Sequence, residues 1–147
     1  MTTFEDDFSQ AQIDMVRAAL DYASGQADGI YIHFSSLGGI LHVGMFFTAF
    51  GRFYTPSELP GTDTSVGWQQ TLLETCCDAL ERMFDAGEAH SRDIPVEGYL
   101  SYRVGGSLDA RYSYQDIPVG EDPRWDEKLD AWMQDVALEN AGRQQNS

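Results

Sequence analysis

From Val96 to Gln115, apolar and polar residues alternate with period two on both sides of Gly105-Gly106-Ser107. Gly98, Leu100, Tyr102 and Val104 share one parity, and Leu108, Ala110, Tyr112 and Tyr114 resume it after the turn. Such alternation predicts an antiparallel hairpin with one buried face. The apolar positions are even-numbered on both strands, so facing residues must sum to an even number. A three-residue loop over 105–107 satisfies this by pairing Val104 with Leu108 and Tyr102 with Ala110, leaving Arg103 opposite Asp109 on the wet side. The rest of the chain is expected to be arranged around this hairpin.

A second hairpin is predicted from Ile30 to Phe50. A two-residue Gly38-Gly39 turn pairs Leu37 with Ile40, Ser35 with His42 and His33 with Gly44. Ile30, Ile32, Phe34, Leu41, Val43, Met45 and Phe47 then form one apolar face. Tyr31, His33, Ser35, His42, Gly44, Phe46 and Thr48 form the other, which is expected to be half exposed. Arg52 to Thr55 suits a short edge strand, limited by Pro56 and Pro60.

Helical spacing marks three further segments. The first begins near Phe4 to Phe8 and is clearest from Ser9, where Ser9-x-x-Gln12 has capping-box form, with a stop at Gly25. The second is capped by Asp63 or Thr64, carries Trp68, Leu72, Leu73, Cys76, Leu80, Met83 and Phe84, and ends at Gly87. The third starts at Asp122-Pro123 and carries Trp125, Leu129, Trp132, Met133 and Val136, with residues 142–147 frayed. The expected fold is α+β, one domain over 1–147. It has an antiparallel sheet of four to five strands with helices on one face, in the order α-β-β-(β)-α-β-β-α.

Charge sharpens this picture. The 147 residues hold 24 acids against 9 bases, a net charge of −15. Such a field repels nucleic acid and anionic membranes and attracts basic partners, although it also serves plain solubility. The acidic N-terminus is unlike a signal peptide, and no apolar run reaches membrane-spanning length. Adjacent Cys76 and Cys77 form no ordinary bridge, so a cytoplasmic protein with reduced thiols is expected, one packed in the core and the other beside it.

Candidate chemistry is sparse. His33 and His42 lie diagonally on one hairpin face, but no cysteine or carboxylate of that hairpin completes a ligand set. His90 sits in a polar loop, and Cys77 is surrounded by Glu74, Asp78 and Glu81, which raise a thiol pKa. Tryptophans at helical spacing suit a core better than a stacking platform. No phosphate-binding loop, dinucleotide fingerprint or hydrolase motif is present, so neither an enzyme nor a metal or cofactor is expected. The acids, in contrast, are concentrated: Asp116, Glu121, Asp122, Asp126, Glu127 and Asp130 fall within fifteen residues. Part of this run suits a helix start. The remainder is either a solvated face or a surface for a partner, and this segment is the candidate partner-binding site.

The stretch from Leu80 to Trp132 resembles bacterial antitoxin and immunity proteins of the YezG type. Leu80-Glu-Arg-Met-Phe-Asp-Ala-Gly87 is similar to the family's helix and glycine turn. Gly106 to Asp116 is similar to its tyrosine-bearing strand, and Asp122-Pro-Arg-Trp125 to its tryptophan helix. The match covers about a third of the chain. It departs where Gln115 interrupts the usual Tyr-acid pair and where a tryptophan after the second helix is missing. The resemblance implies stoichiometric inhibition of a secreted toxin, a basic nuclease-like domain, with no chemistry of its own. Element order is also similar to type III secretion chaperones, which hold an extended effector segment, usually as homodimers. Whether this chain dimerises stays open, and a small enzyme is the third class.

Overall fold

Thr3 opens the first helix. Its hydroxyl accepts the Asp6 N–H at 3.1 Å while the Asp6 carboxylate accepts the Thr3 N–H at 3.5 Å, a reciprocal capping box. With Glu5, Asp6 and Asp7 in the first turn, at the positive end of the dipole, α1 runs Phe4–Ala23. The box expected at Ser9 is therefore interior, while the start at Phe4 falls in the stretch expected, Phe4 to Phe8. It stops as expected, through Ser24 in the left-handed region and Gly25 after it. The computed structural model describes residues 3–36, 41–114 and 125–145, with side chains to 139.

Five strands follow the order β3-β2-β1-β4-β5, each pair of neighbours antiparallel. They are β1 (Gly29–Ser35), β2 (His42–Ala49), β3 (Arg52–Tyr54), β4 (Glu97–Arg103) and β5 (Leu108–Ser113). With α2 (Val66–Ala89) and α3 (Trp125–Gln145) the element order is α-β-β-β-α-β-β-α, an α+β fold. The first hairpin has the predicted register, Ser35 opposite His42 and His33 opposite Gly44. The Leu37–Ile40 pair lies outside the described residues.

The second hairpin has the predicted parity and a different register. Tyr102 pairs with Leu108 and Leu100 with Ala110, so Ser101, not Arg103, faces Asp109. The turn explains the slip. Gly106 N donates to Arg103 O at 2.8 Å and Gly105 has φ +84°, the third position of a type II turn, where glycine avoids a Cβ clash. Val104 and Gly105 thus belong to the turn, with Arg103 the last residue of β4, and Val104 N donates instead to Asp28 O at 2.9 Å. Leu100 is fully buried and Tyr102 and Leu108 pack on the core, but Val104 and Ala110 are exposed. The sheet is centred on β1, buried along its whole length, while β5 of the expected central hairpin is an edge.

The core fills the space between one sheet face and the helices α1 and α2. Ile30, Ile32, Phe34, Met45, Phe47 and Leu100 meet Met15, Ala19 and Tyr22 of α1 and Leu72, Cys76, Leu80 and Met83 of α2. Tyr22 stacks between Phe47 and Trp68, at 6.0 and 6.2 Å between ring centres. Ser65 caps α2 by accepting the Trp68 N–H at 3.3 Å, and Asp63 supports the cap by accepting the Ser65 N–H at 2.9 Å. Gly87, expected to end the helix, is buried inside it beside Ile94, and its carbonyl accepts the Arg92 N–H at 2.8 Å as the chain turns away after Ala89.

The chain divides into two compact units, Met1–Asp116 and Ile117–Ser147. In the second, α3 places Trp125, Leu129, Trp132, Met133 and Val136 on one face at helical spacing, with Asp126 and Glu127 in its first turn. It continues past Gly142 to Gln145, where fraying was expected. The expected Asp122-Pro123 start lies outside the described residues.

Candidate functional site

Two groups of side chains compete for the role of a site: an acidic surface and a buried polar cluster. The predicted acidic segment is described in part. Asp126, Glu127 and Asp130 are exposed on α3, where Lys128 lies over the Trp125 ring at 4.9 Å. Asp116, Glu121 and Asp122 lie outside the described residues.

A larger acidic surface covers the helices of the first unit. α1 contributes Glu5, Asp6, Asp7, Asp14 and Asp21, and α2 contributes Glu74, Asp78, Glu81, Asp85 and Glu88, against one arginine each, Arg17 and Arg82. Sequence reasoning passed over these acids because each helix spreads them along its length rather than in one run. The signal was periodic: with the apolar stripe turned inward, polar positions share the outer face. Arg82 pairs with Asp14 at 2.8 Å, and Arg92 pairs with Glu5 at 3.0 Å while stacking on Phe4. A backbone hydrogen bond and then Arg92 hold the Glu5 carboxyl below its usual range. At Asp14 partial burial works upward, but Gln10, Arg82 and Arg17 outweigh it and the carboxyl stays low. These exposed pairs neutralise few of the ten acids and contribute little stability.

The polar cluster lies on the other sheet face, which is not half exposed as expected. Tyr31, His33, Ser35, Phe46 and Thr48 are all buried. Tyr31 stacks on Phe46 at 4.7 Å, and the His33 ring lies 4.8 Å from that of Tyr99 and 6.2 Å from that of His42. The carboxylate absent from the first hairpin arrives from β4. Glu97 Oε1 sits 2.9 Å from His33 Nε2 and accepts the Tyr99 hydroxyl proton, while Arg111 lies over the Tyr99 ring at 5.2 Å. Burial first, and then Glu97, push the Tyr99 phenol well above its ordinary range. The pairing of β1 with β4 creates this cluster, and no local pattern announces a partner strand 64 residues away.

A histidine held by a carboxylate can move protons, but His33 is wholly buried and the Glu97 side chain nearly so. In that position the pair ties β1 to β4 and satisfies groups that would be costly to bury alone. Among the described residues no three histidine, cysteine or carboxylate side chains gather as a metal site, and no helix is long and apolar enough to cross a membrane.

The cysteines are arranged as expected. Cys76 is buried and Cys77 lies beside it, partly exposed. Burial, with a smaller push from Cys77, takes the Cys76 thiol up to about 12, and burial, Asp78 and Glu81 raise Cys77. The unfolded thiol ionises near 9.0, so the stability tied to Cys76 is complete below that pH and is lost as pH rises toward about 12. Urea midpoints are expected to fall steadily above about pH 9. The slope should approach roughly 1.4 kcal/mol per pH unit for each such group, and Cys76→Ala should flatten its first part. An unchanged slope in Cys76→Ala would show that other groups dominate.

No family model matches the chain, and no curated protein sequence matches it.

Proposed function

We propose that the protein is an immunity protein or antitoxin, acting in the cytoplasm, that binds a basic, nuclease-like toxin domain and neutralises it by stoichiometric association. The observation that carries this reading is the charge: −15 overall, with ten carboxylates against two arginines on α1 and α2 and further acids in 116–130. A nuclease domain must present cations to its phosphate substrate, and an acidic partner competes for those same cations. The similarity of Leu80–Gly87, Gly106–Asp116 and Asp122–Trp125 to the YezG type supports the same reading. The 116–130 segment is the leading contact, and the outer faces of α1 and α2 are a second acidic surface.

The test starts from the reading frames that neighbour this chain's own, where a basic nuclease toxin domain is expected, and uses that domain. A one-to-one complex should form and abolish that domain's nuclease activity. Replacing Glu121, Asp122, Asp126 and Glu127 with their amides removes four charges at nearly constant size, and the asparagine at 122 can still cap a helix. The association rate should fall severalfold at low salt and less at about 0.15 M, where the Debye length is near 8 Å. Amides at Glu74, Asp78, Glu81 and Asp85 make the same charge change on α2 and distinguish contact from long-range field. Equal binding and protection by the 121–127 variant at every salt concentration would move the contact elsewhere. Binding only to an unfolded segment, with activity intact, would replace inhibition by a chaperone role.

A further inference from the structure

β5 ends the sheet, and Asp109, Ala110, Arg111 and Tyr112 are all exposed there. The direction of its backbone groups follows from β4. Ser36 N donates to Val96 O and Val104 N to Asp28 O, each at 2.9 Å, so even-numbered residues of β4 turn their backbone toward β1. Its odd-numbered residues turn toward β5, where Tyr99 faces Arg111 and Ser101 faces Asp109. The N–H and C=O groups of Leu108, Ala110 and Tyr112 therefore point away from the sheet.

We propose that this edge is a self-complementary dimerisation strand, with β5 of a second copy adding antiparallel about a twofold axis through Ala110. Each copy contributes five strands to one continuous sheet. On this register Ala110 meets its own copy and Leu108 meets Tyr112 twice, each as a hydrogen-bonded pair. Asp109 meets Arg111 twice, in the pairs between, where side chains approach most closely. Sliding the strands to the adjacent allowed registers sets Arg111 against Arg111 or Asp109 against Asp109. Charge thus selects one register, and Ala110 is the small residue on the axis. The association does not depend on the toxin reading. It also responds to salt in the opposite sense: two chains of −15 repel, and screening weakens that long-range repulsion more than the close Asp109–Arg111 pairs.

Sedimentation over a concentration series tests this. The parent should move from 16.4 kDa toward 32.8 kDa, twice the chain mass, and do so more readily at about 0.15 M salt than at about 0.01 M. Asp109→Arg and Arg111→Asp should each be monomeric alone, because each opposes like charges. Mixed together they should form a heterodimer, since one chain then carries two arginines where the other carries two aspartates. Ala110→Pro removes an N–H that the monomer's own sheet does not use, so the chain should fold and remain monomeric. Amide exchange in the parent reads the same contact without substitution, and the Ala110 and Tyr112 amides should slow as concentration rises. A parent that stays at 16.4 kDa up to about 1 mM would overturn the proposal. So would a dimer indifferent to Ala110→Pro, or charge variants that fold but do not pair on mixing.

Discussion

Gly98→Ala should destabilise the protein by roughly 3 kcal/mol or more, a large effect for adding one methyl group. Gly98 faces Phe34 across β1 and β4, and the Phe34 ring lies flat over the space a side chain would occupy. A Cβ at position 98 would come within 2.2 Å of Phe34 Cζ and 2.4 Å of Cε1. Phe34 is fully buried, so its ring has nowhere to retreat. Phe34→Ala alone should cost roughly 3–5 kcal/mol through the cavity it leaves. The double variant should cost clearly less than the sum of the two, because each change relieves the other. Urea unfolding of the four proteins gives the comparison, and strict additivity would show that the two residues do not share that space.

The second large effect is expected at Glu97. Its carboxylate is the shared acceptor for the His33 imidazole and the Tyr99 hydroxyl; His33 and Glu97 are buried and Tyr99 is partly so. Glu97→Ala should cost on the order of 3 kcal/mol, the range for removing one member of a buried polar pair. Glu97→Gln keeps an oxygen acceptor and the side-chain length, and should cost markedly less. Tyr99→Phe removes only one donor and should fall between the parent and Glu97→Ala. If Glu97→Ala melted like the parent, the cluster would be incidental to the pairing of β1 with β4.

The type and order of the local, periodic elements were legible in the sequence, but not all of their ends and registers. The Ile30–Phe50 alternation specified its register because a one-residue slip would have turned Ile32 and Phe34 to the wrong face. The Val96–Gln115 alternation specified only parity, since Val104 could be placed in the strand or in the turn. The choice fell to Gly105, whose positive φ is visible only once the backbone is folded. At Thr3 the capping partner was Asp6 rather than glutamate or glutamine, so the box at Ser9 looked stronger than it is. The His33–Glu97 contact had no sequence signature, because it depends on which strand lies beside β1. The acids of α1 and α2 were in plain view, but their common face becomes apparent only when both stripes are turned onto one core.

The central position of β1 has a consequence for how the chain comes off the ribosome. Its partner β2 follows within a few residues, but β4 does not exist until about sixty residues later, after the whole of α2. Until then Ile30, Ile32 and Phe34 belong to a strand with one open edge, the kind of template that recruits other chains. A nascent chain paused within α2, or a fragment ending before Glu97, keeps that edge unpaired. Synthesis past Arg103 is the step that closes it, so stalled or truncated products of this protein are the species most prone to aggregate.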